Sequence, residues 1–214
     1  MFTFTLFAQC GRRRLPCSNI PAFTLLELLV TISLILVLAG LVIGVASYVQ
    51  QKGARSQAEV QIKAISTALE RFKQDNGLYP SGTATETLSP KSHFDPSADT
   101  YRASSKFLWE QLSGHIKDED GTELDEELQK IYMNFKGRTL GNPKQGASGK
   151  ITKVDALLDP FGNSYGYSTA RNAELLASED NEAASAKGYN PTFDLWSTGD
   201  GDKETDQGKW ISNW

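Results

Sequence analysis

Two hydrophobic patterns follow one another in the first third of the chain. From Leu28 to Gln51 the sequence contains no charged residue, and this is enough for a transmembrane helix, which needs about 20 apolar residues. After Lys52 the apolar residues recur in steps of three and four, which is typical of a helix with one buried face. This apolar stripe consists of Ala58, Ile62, Ile65, Leu69 and Phe72. We predict one helix from about Thr24 to Asp75, half in a membrane and half outside it.

The residues after this helix predict where it ends and what it packs against. Asn76-Gly77 supplies a residue that tolerates positive φ, and Pro80 prevents the helix from resuming. The stripe of the outer half needs an apolar surface to bury it, and a small sheet is the most economical one. We therefore predict an α+β head, in which a three- or four-stranded antiparallel sheet packs on the long helix.

The stretch from about residue 81 to 150, which we call the insertion, is predicted to contain two helices and a loop. A short helix is predicted around Lys106 to Leu112. A second helix is predicted to begin at Thr122, because Asp125 stands three residues further on as a loose capping box, and to run through Leu124, Leu128, Ile131 and Tyr132. Residues 141–150 (GNPKQGASGK) are rich in glycine and polar residues and are predicted to form a loop.

Composition and charge indicate a globular protein and argue against binding to nucleic acid. The chain is 39% hydrophobic and 22% charged, as globular proteins are, and its net charge is −4. Three of its 22 basic residues, at positions 12–14, precede the apolar run; the rest of the chain therefore has 19 basic and 26 acidic residues. A domain this acidic gives no electrostatic reason to bind nucleic acid.

Few residues are suited to catalysis. Cys10 and Cys17 lie near the N-terminus, and the only histidines, His93 and His115, belong to no ligand-spaced motif. Residues 162–166 match G-x-S-x-G, the nucleophile elbow of hydrolases, but no histidine follows them to complete a triad. We predict that the protein is not an enzyme.

The N-terminus allows two interpretations. The arginines at positions 12–14 predict that the leader stays in the cytoplasm and that everything after residue 51 faces outward. The alternative is a secretory signal peptide cleaved near residues 39–41 or 44–46, although the apolar region of such peptides is usually about 7–15 residues long.

One acidic residue, Glu27, stands at the start of the apolar run, where a carboxylate costs about 2.5–3.5 kcal/mol on insertion scales. The surrounding segment, residues 22–30 (AFTLLELLV), resembles the processing site of type IV pilins and type II secretion pseudopilins. The resemblance implies that a prepilin peptidase cuts between Ala22 and Phe23 and that the new Phe23 amine is methylated. It also implies that Glu27 pairs with the terminal amine of a neighbouring subunit. Ala22 departs from the glycine that the family usually has before the cut.

Three later segments resemble the major pseudopilin of type II secretion. They are residues 70–80 (ERFKQDNGLYP), 158–167 (LDPFGNSYGY) and 193–197 (FDLWS), the last of which the resemblance implies to be a strand. The resemblance does not cover residues 81–157. It implies a pilin-like fold and a homopolymeric periplasmic filament that drives protein export, together with minor pseudopilins, an inner-membrane platform protein and an assembly ATPase. A type IV or competence pilin and, from another class, a membrane-anchored periplasmic binding domain are the alternatives.

These patterns predict a single-pass inner-membrane protein whose head lies in the periplasm. Its predicted segments are a cleaved leader at 1–22, the membrane or filament-core half of the helix at 23–51, the periplasmic half at 52–75 and the head at 76–214. Gly40 and Gly44 form a G-x-x-x-G pattern in the anchor, a spacing that lets membrane helices approach closely.

Residues 196–206 concentrate the oxygen ligands that calcium prefers. The resemblance implies that this loop binds calcium, through Ser197, Asp200, Asp202 and Asp206. The family usually has an aspartate immediately before its final I-x-N-W-like segment, whereas this chain has Trp210 there. A solvated acidic turn is the alternative.

Overall fold

The structure is a computed structural model that describes residues 23–115, 130–146, 149–177, 187–201 and 204–214. The chain divides into two compact units, with the boundary between Ser47 and Tyr48. The predicted leader lies outside the described residues, as does the helix predicted from Thr122 up to residue 129. The predicted end of that helix is wrong: Ile131 and Tyr132 are not helical, and the N–H of Tyr132 donates to the carbonyl of Leu112 at 2.9 Å.

The long helix, α1, spans Leu25–Asn76, within one residue of the predicted bounds at each end. At its start the hydroxyl of Thr24 accepts the backbone N–H of Glu27 at 3.2 Å, as an N-cap residue does. At its end Gly77 has φ of +81° and donates its N–H to the carbonyl of Lys73 at 2.7 Å. A left-handed glycine after the last turn ends helices in this way, because it has no Cβ to strain.

The described part of the first unit is an apolar stretch of α1. Between Phe23 and Ser47, all the described side chains of α1 are exposed. One described helix is long and apolar enough to cross a membrane, and its most apolar stretch has none of its residues buried. By length and composition, a signal sequence passes the same test.

In the second unit the outer half of α1 buries the predicted stripe. The five residues of that stripe, together with Ala68, are between 0% and 8% exposed. They form one core cluster with the aromatic and aliphatic residues of the head, among them Tyr165, Tyr167, Leu195 and Ile211. The periodicity of the sequence thus correctly identified the buried face of the helix.

A three-stranded antiparallel sheet lies in the head, in the order β5-β6-β7. Tyr167 pairs with Leu195 across the first two strands, and Trp196 pairs with Ser212 across the second two. The predicted strand at residues 193–197 is confirmed as β6. The three strands are β5 (Gly166–Ser168), β6 (Asp194–Ser197) and β7 (Ile211–Ser212).

Two smaller antiparallel ladders correct the prediction of a loop over residues 141–150. Strand β1 pairs with β4, and β2 pairs with β3. The turn between β2 and β3 uses Gly149, which has φ of +74° and donates its N–H to the carbonyl of Gly146. Pairing with a later segment overrides the weak strand propensity of this glycine-rich sequence. The strands are β1 (Leu140–Gly141), β2 (Lys144–Gln145), β3 (Ile151–Lys153) and β4 (Ala156–Leu157).

The insertion contributes a helix to the core. The helix predicted around residues 106–112 is longer than expected, because its first half also packs: Ser104 donates its hydroxyl to the carbonyl of Tyr167. Further toward its C-terminus, Trp109 belongs to the main core cluster. The remaining helices are α2 (Thr83–Thr87), α3 (Asp99–Ser113) and α4 (Ala170–Ala177), and short 3-10 turns cover Gly137–Thr139 and Glu204–Lys209.

A second cluster joins the insertion to the C-terminal strands. Trp196 stacks on Trp210 with ring centroids 6.0 Å apart, and its indole N–H donates to the hydroxyl of Tyr101 at 3.0 Å. That hydroxyl donates in turn to the carbonyl of His93 at 2.8 Å. Leu88 completes the cluster. The insertion is therefore part of the packed head.

We expect Ile65→Ala to lower the free energy of unfolding of the head by about 2–5 kcal/mol, because it leaves a cavity in the core. Ile65 is 1% exposed. Urea unfolding of the full chain in detergent micelles, followed by near-ultraviolet circular dichroism, measures this. Val60→Ala on the same helix, where Val60 is 64% exposed, is the matched control. Equal losses in the two variants would contradict the packing described here.

Candidate functional site

The start of α1 presents a carboxylate with no partner in the described part of the chain. Phe23 is 74% exposed, and Glu27 is also exposed. Thr24 and Glu27 have the spacing of a capping box, and the Thr24 half of that box is formed. Within the described residues, no other side chain forms a hydrogen bond or ion pair with the Glu27 carboxylate. Ala22 lies outside the described residues, so cleavage before Phe23 stays a prediction.

The two glycines of the anchor leave open space on one face of α1. A Cβ placed at Gly40 or Gly44 would meet no atom within 4 Å. Residues four apart lie on the same face of a helix, so together they expose a strip of bare backbone. Close approach of another helix to this strip stays a prediction.

In the head, a buried carboxylate joins two of the segments that resemble pseudopilins. Asp159 is 4% exposed, and its Oδ1 accepts the backbone N–H groups of Phe161 at 2.9 Å and Asn163 at 2.8 Å. Its Oδ2 accepts the hydroxyl of Ser197 at 2.5 Å. Asn163 donates its side-chain amide to the carbonyl of Gly199 at 2.6 Å. We call these five residues the Asp159 network, and it connects the turn after β4 to the loop after β6.

Two side chains of α1 bond to the loop between β6 and β7, which we call the C-terminal loop. Gln51 donates its amide to Asp200 Oδ2 at 2.6 Å. One turn further on, Arg55 Nη1 donates to the carbonyl of Lys209 at 2.6 Å. The loop is thus bonded to α1 near its start, at Asp200, and near its end, at Lys209.

The predicted calcium ligands are not arranged as a ready site in the described residues. Ser197 is fully buried; its hydroxyl donates to Asp159 and accepts the N–H of Gly199 at 3.1 Å. Asp200 is exposed and bonded to Gln51, while Asp206 Oδ1 is 2.7 Å from Lys209 Nζ.

Calcium needs six to eight oxygen ligands, and an ammonium group beside one of them opposes it. Within the described residues, no group of three or more His, Cys, Asp or Glu side chains is placed to hold a metal ion. Ser197, Asp200 and Asp206 are instead engaged with other groups of the chain. Asp202 lies outside the described residues, and the four-residue calcium set stays a prediction.

Sequence reasoning missed most of the residues that organise this site. Asp159 had a local signal, because an aspartate that begins a turn commonly accepts the N–H two residues on. Gln51 and Arg55 had none, since their partners are far away in sequence, whereas Lys209 and its partner Asp206 are three residues apart. The two histidines contact neighbouring residues of the head. His93 Nδ1 accepts the backbone N–H of Ser89 at 3.2 Å, and His115 is stacked on Trp109.

Burial raises the pKa of Asp159 above its ordinary value of 3.8, against the lowering effect of the hydrogen bond from Ser197 and of the backbone N–H groups. A carboxyl group with a raised folded-state pKa contributes stability that is complete below its unfolded pKa and is lost as pH rises through the folded one.

We therefore expect the free energy of unfolding of the wild type to fall relative to that of Asp159→Asn as pH rises from about 4 to about 7. The asparagine stays neutral and can donate to Ser197, as the protonated acid can. Urea titrations at several pH values measure the difference, with Asp99→Asn, which removes a fully exposed carboxylate, as the control for lost charge. A difference that is constant across this range would contradict the raised pKa.

A scan against protein-family models and searches among curated proteins and solved structures found no match to this chain. The functional interpretation therefore depends on the residues themselves. They are a carboxylate with no partner among the described residues at the start of a helix whose first half is apolar and exposed, and a head whose C-terminal loop is bonded to the second half of that helix.

Proposed function

We propose that this protein is a structural subunit of a type II secretion pseudopilus. It is made as a prepilin, held in the inner membrane by the first half of α1, and assembled into a periplasmic filament that drives protein export. The observation that carries the proposal is Glu27, a carboxylate without a partner in the described residues at the start of an apolar helix.

The exposed surface of the first unit supports this proposal. Large apolar side chains in this segment, from Leu25 to Val45, are about half exposed or more. A soluble monomer rarely leaves so extensive an apolar surface in water. Lipid covers such a helix before assembly, and the helices of neighbouring subunits cover it in a filament.

The carboxylate gives assembly a direction and a register. An isolated charge in hydrocarbon costs several kcal/mol, and pairing with an opposite charge removes much of that cost. After cleavage before Phe23, the new amine of one subunit is the cation that Glu27 of the next subunit takes as its partner. A simple membrane anchor has no use for such an acid.

The remaining partners follow from the resemblance of the sequence. A prepilin peptidase cuts and methylates the N-terminus, an assembly ATPase and a platform protein extract the subunit from the membrane, and minor pseudopilins join the filament. The predicted location is the inner membrane, with the head in the periplasm.

We expect mass spectrometry of the purified wild type to find an N-terminus at methylated Phe23. We also expect Glu27→Gln to be cleaved normally and to form no filaments, because glutamine keeps the shape and removes the charge. Chemical cross-linking in membranes, followed by electron microscopy of sheared filaments, measures assembly. Ser33→Ala is the matched control, since it removes a polar group from the same segment. Among the described residues, the Ser33 hydroxyl bonds only to the carbonyl of Val30.

An intact leader, or cleavage near residue 46, would overturn the proposal and would leave an anchored or secreted domain. Filaments that form equally well from Glu27→Gln would contradict the role of the carboxylate. A methylated Phe23 in a protein that assembles at the cell surface would favour a type IV or competence pilin.

A further inference from the structure

The C-terminal loop carries more negative than positive charge. Between Ser197 and Trp210 the sequence contains four acidic residues and two lysines. Like charges held close together in a folded loop repel one another, so a cation must lie near them or the loop loses stability. In the described part of the loop, the cation that lies beside one of these acids is Lys209.

Lys209 is placed against the acidic residues of its own loop. Its Nζ is 2.7 Å from Asp206 Oδ1, which is the distance of a charge-assisted hydrogen bond. The pKa of Lys209 is raised, first by this hydrogen bond and then by the charges of Asp206 and Asp200. The ammonium group thus lies in the electrostatic field of both carboxylates.

The backbone of the loop is folded tightly around this ion pair. Gly201 donates its N–H to the carbonyl of Thr198 at 3.0 Å, and a Cβ at Gly201 would lie 2.5 Å from that of Asp206. Gly199 has φ of +63°, and a Cβ there would lie 3.7 Å from the carbonyl of Lys209. The two ends of the loop therefore meet where the ion pair forms.

The closed loop is then fastened to α1. Arg55 donates to the carbonyls of Lys209, at 2.6 Å, and of Trp210, at 3.5 Å. Gln51 donates to the carboxylate of Asp200.

We propose that the Lys209 ammonium group is the resident cation of the C-terminal loop and closes it in place of a metal ion. Asp206 is its hydrogen-bonded partner, the Asp200 carboxylate lies within reach of its charge, and Arg55 bonds the closed loop to the helix. The ammonium group supplies one charge and three hydrogen-bond donors from within the loop. A calcium ion would have to displace it from Asp206. This inference does not depend on the proposed filament function.

The test uses the full chain in detergent micelles and three variants. Lys209→Met keeps the aliphatic stem and removes the charge. Lys130→Met is the matched control, because Lys130 Nζ is 2.6 Å from Asp75 Oδ2 and the two lysine side chains are 64% and 59% exposed. The double variant Lys209→Met with Asp206→Asn removes both members of the loop's ion pair.

Two quantities are measured for each protein. The first is the Tm with a chelator and with calcium at about 1 mM, a concentration at which weak extracellular calcium sites fill. The second is the hydrogen exchange of the peptide that contains residues 198–201, whose Gly201 amide is bonded within the loop.

We expect calcium to leave the Tm of the wild type and of Lys130→Met unchanged. Lys209→Met should lower the Tm by about 1–3 °C, as the loss of an exposed ion pair does in a protein of this size. It should also speed exchange in residues 198–201, and calcium should reverse both effects, because the two carboxylates are left without a cation. The double variant should show no response to calcium.

Two results would overturn the inference. A wild-type Tm that rises by several degrees with calcium would mean that a metal ion closes the loop. A Lys209→Met variant that matches Lys130→Met in the exchange of residues 198–201 and in its calcium response would mean that Lys209 is not the cation that holds it.

Discussion

The head depends above all on the burial of one stripe of α1 against the sheet. Ile62, Ile65 and Leu69 are at most 3% exposed, and each fully buried aliphatic side chain contributes about 1.5–3 kcal/mol. The sheet has three short strands, and so small a sheet needs an apolar partner for its inner face. Tyr165 also donates its hydroxyl to Gln61 of the helix at 2.6 Å. Helix and sheet therefore stabilise each other.

Polar contacts then decide how the connections lie over this core. The Asp159 network joins the turn after β4 to the loop after β6, and Arg55 joins that loop to the helix. A buried carboxylate is costly unless hydrogen bonds satisfy it, and Asp159 has three donors. The network thus gives the C-terminal region a specific conformation that apolar packing alone would not specify.

The two halves of α1 differ in what covers their apolar side chains. In the head its stripe is covered by the chain itself, whereas between Phe23 and Ser47 its described side chains are exposed. The exposed half needs lipid or other helices as its surroundings. The proposed assembly depends on the acid at its start, because a charge in hydrocarbon requires a partner.

The sequence by itself determined the helix, its bounds and its buried face, because these follow from local signals: a 3.6-residue period, an N-cap threonine and a terminal glycine. It also indicated strand β6 and the place of Glu27. It did not determine the ladders β1–β4 and β2–β3, the length of α3, the bond from Ser197 to Asp159, or the bond from Arg55 to the carbonyl of Lys209. These depend on contacts between residues far apart in sequence. Which donor reaches a given carboxylate was decided only when the chain folded, because hydrogen bonds and ion pairs require distances of about 3 Å that no periodicity encodes.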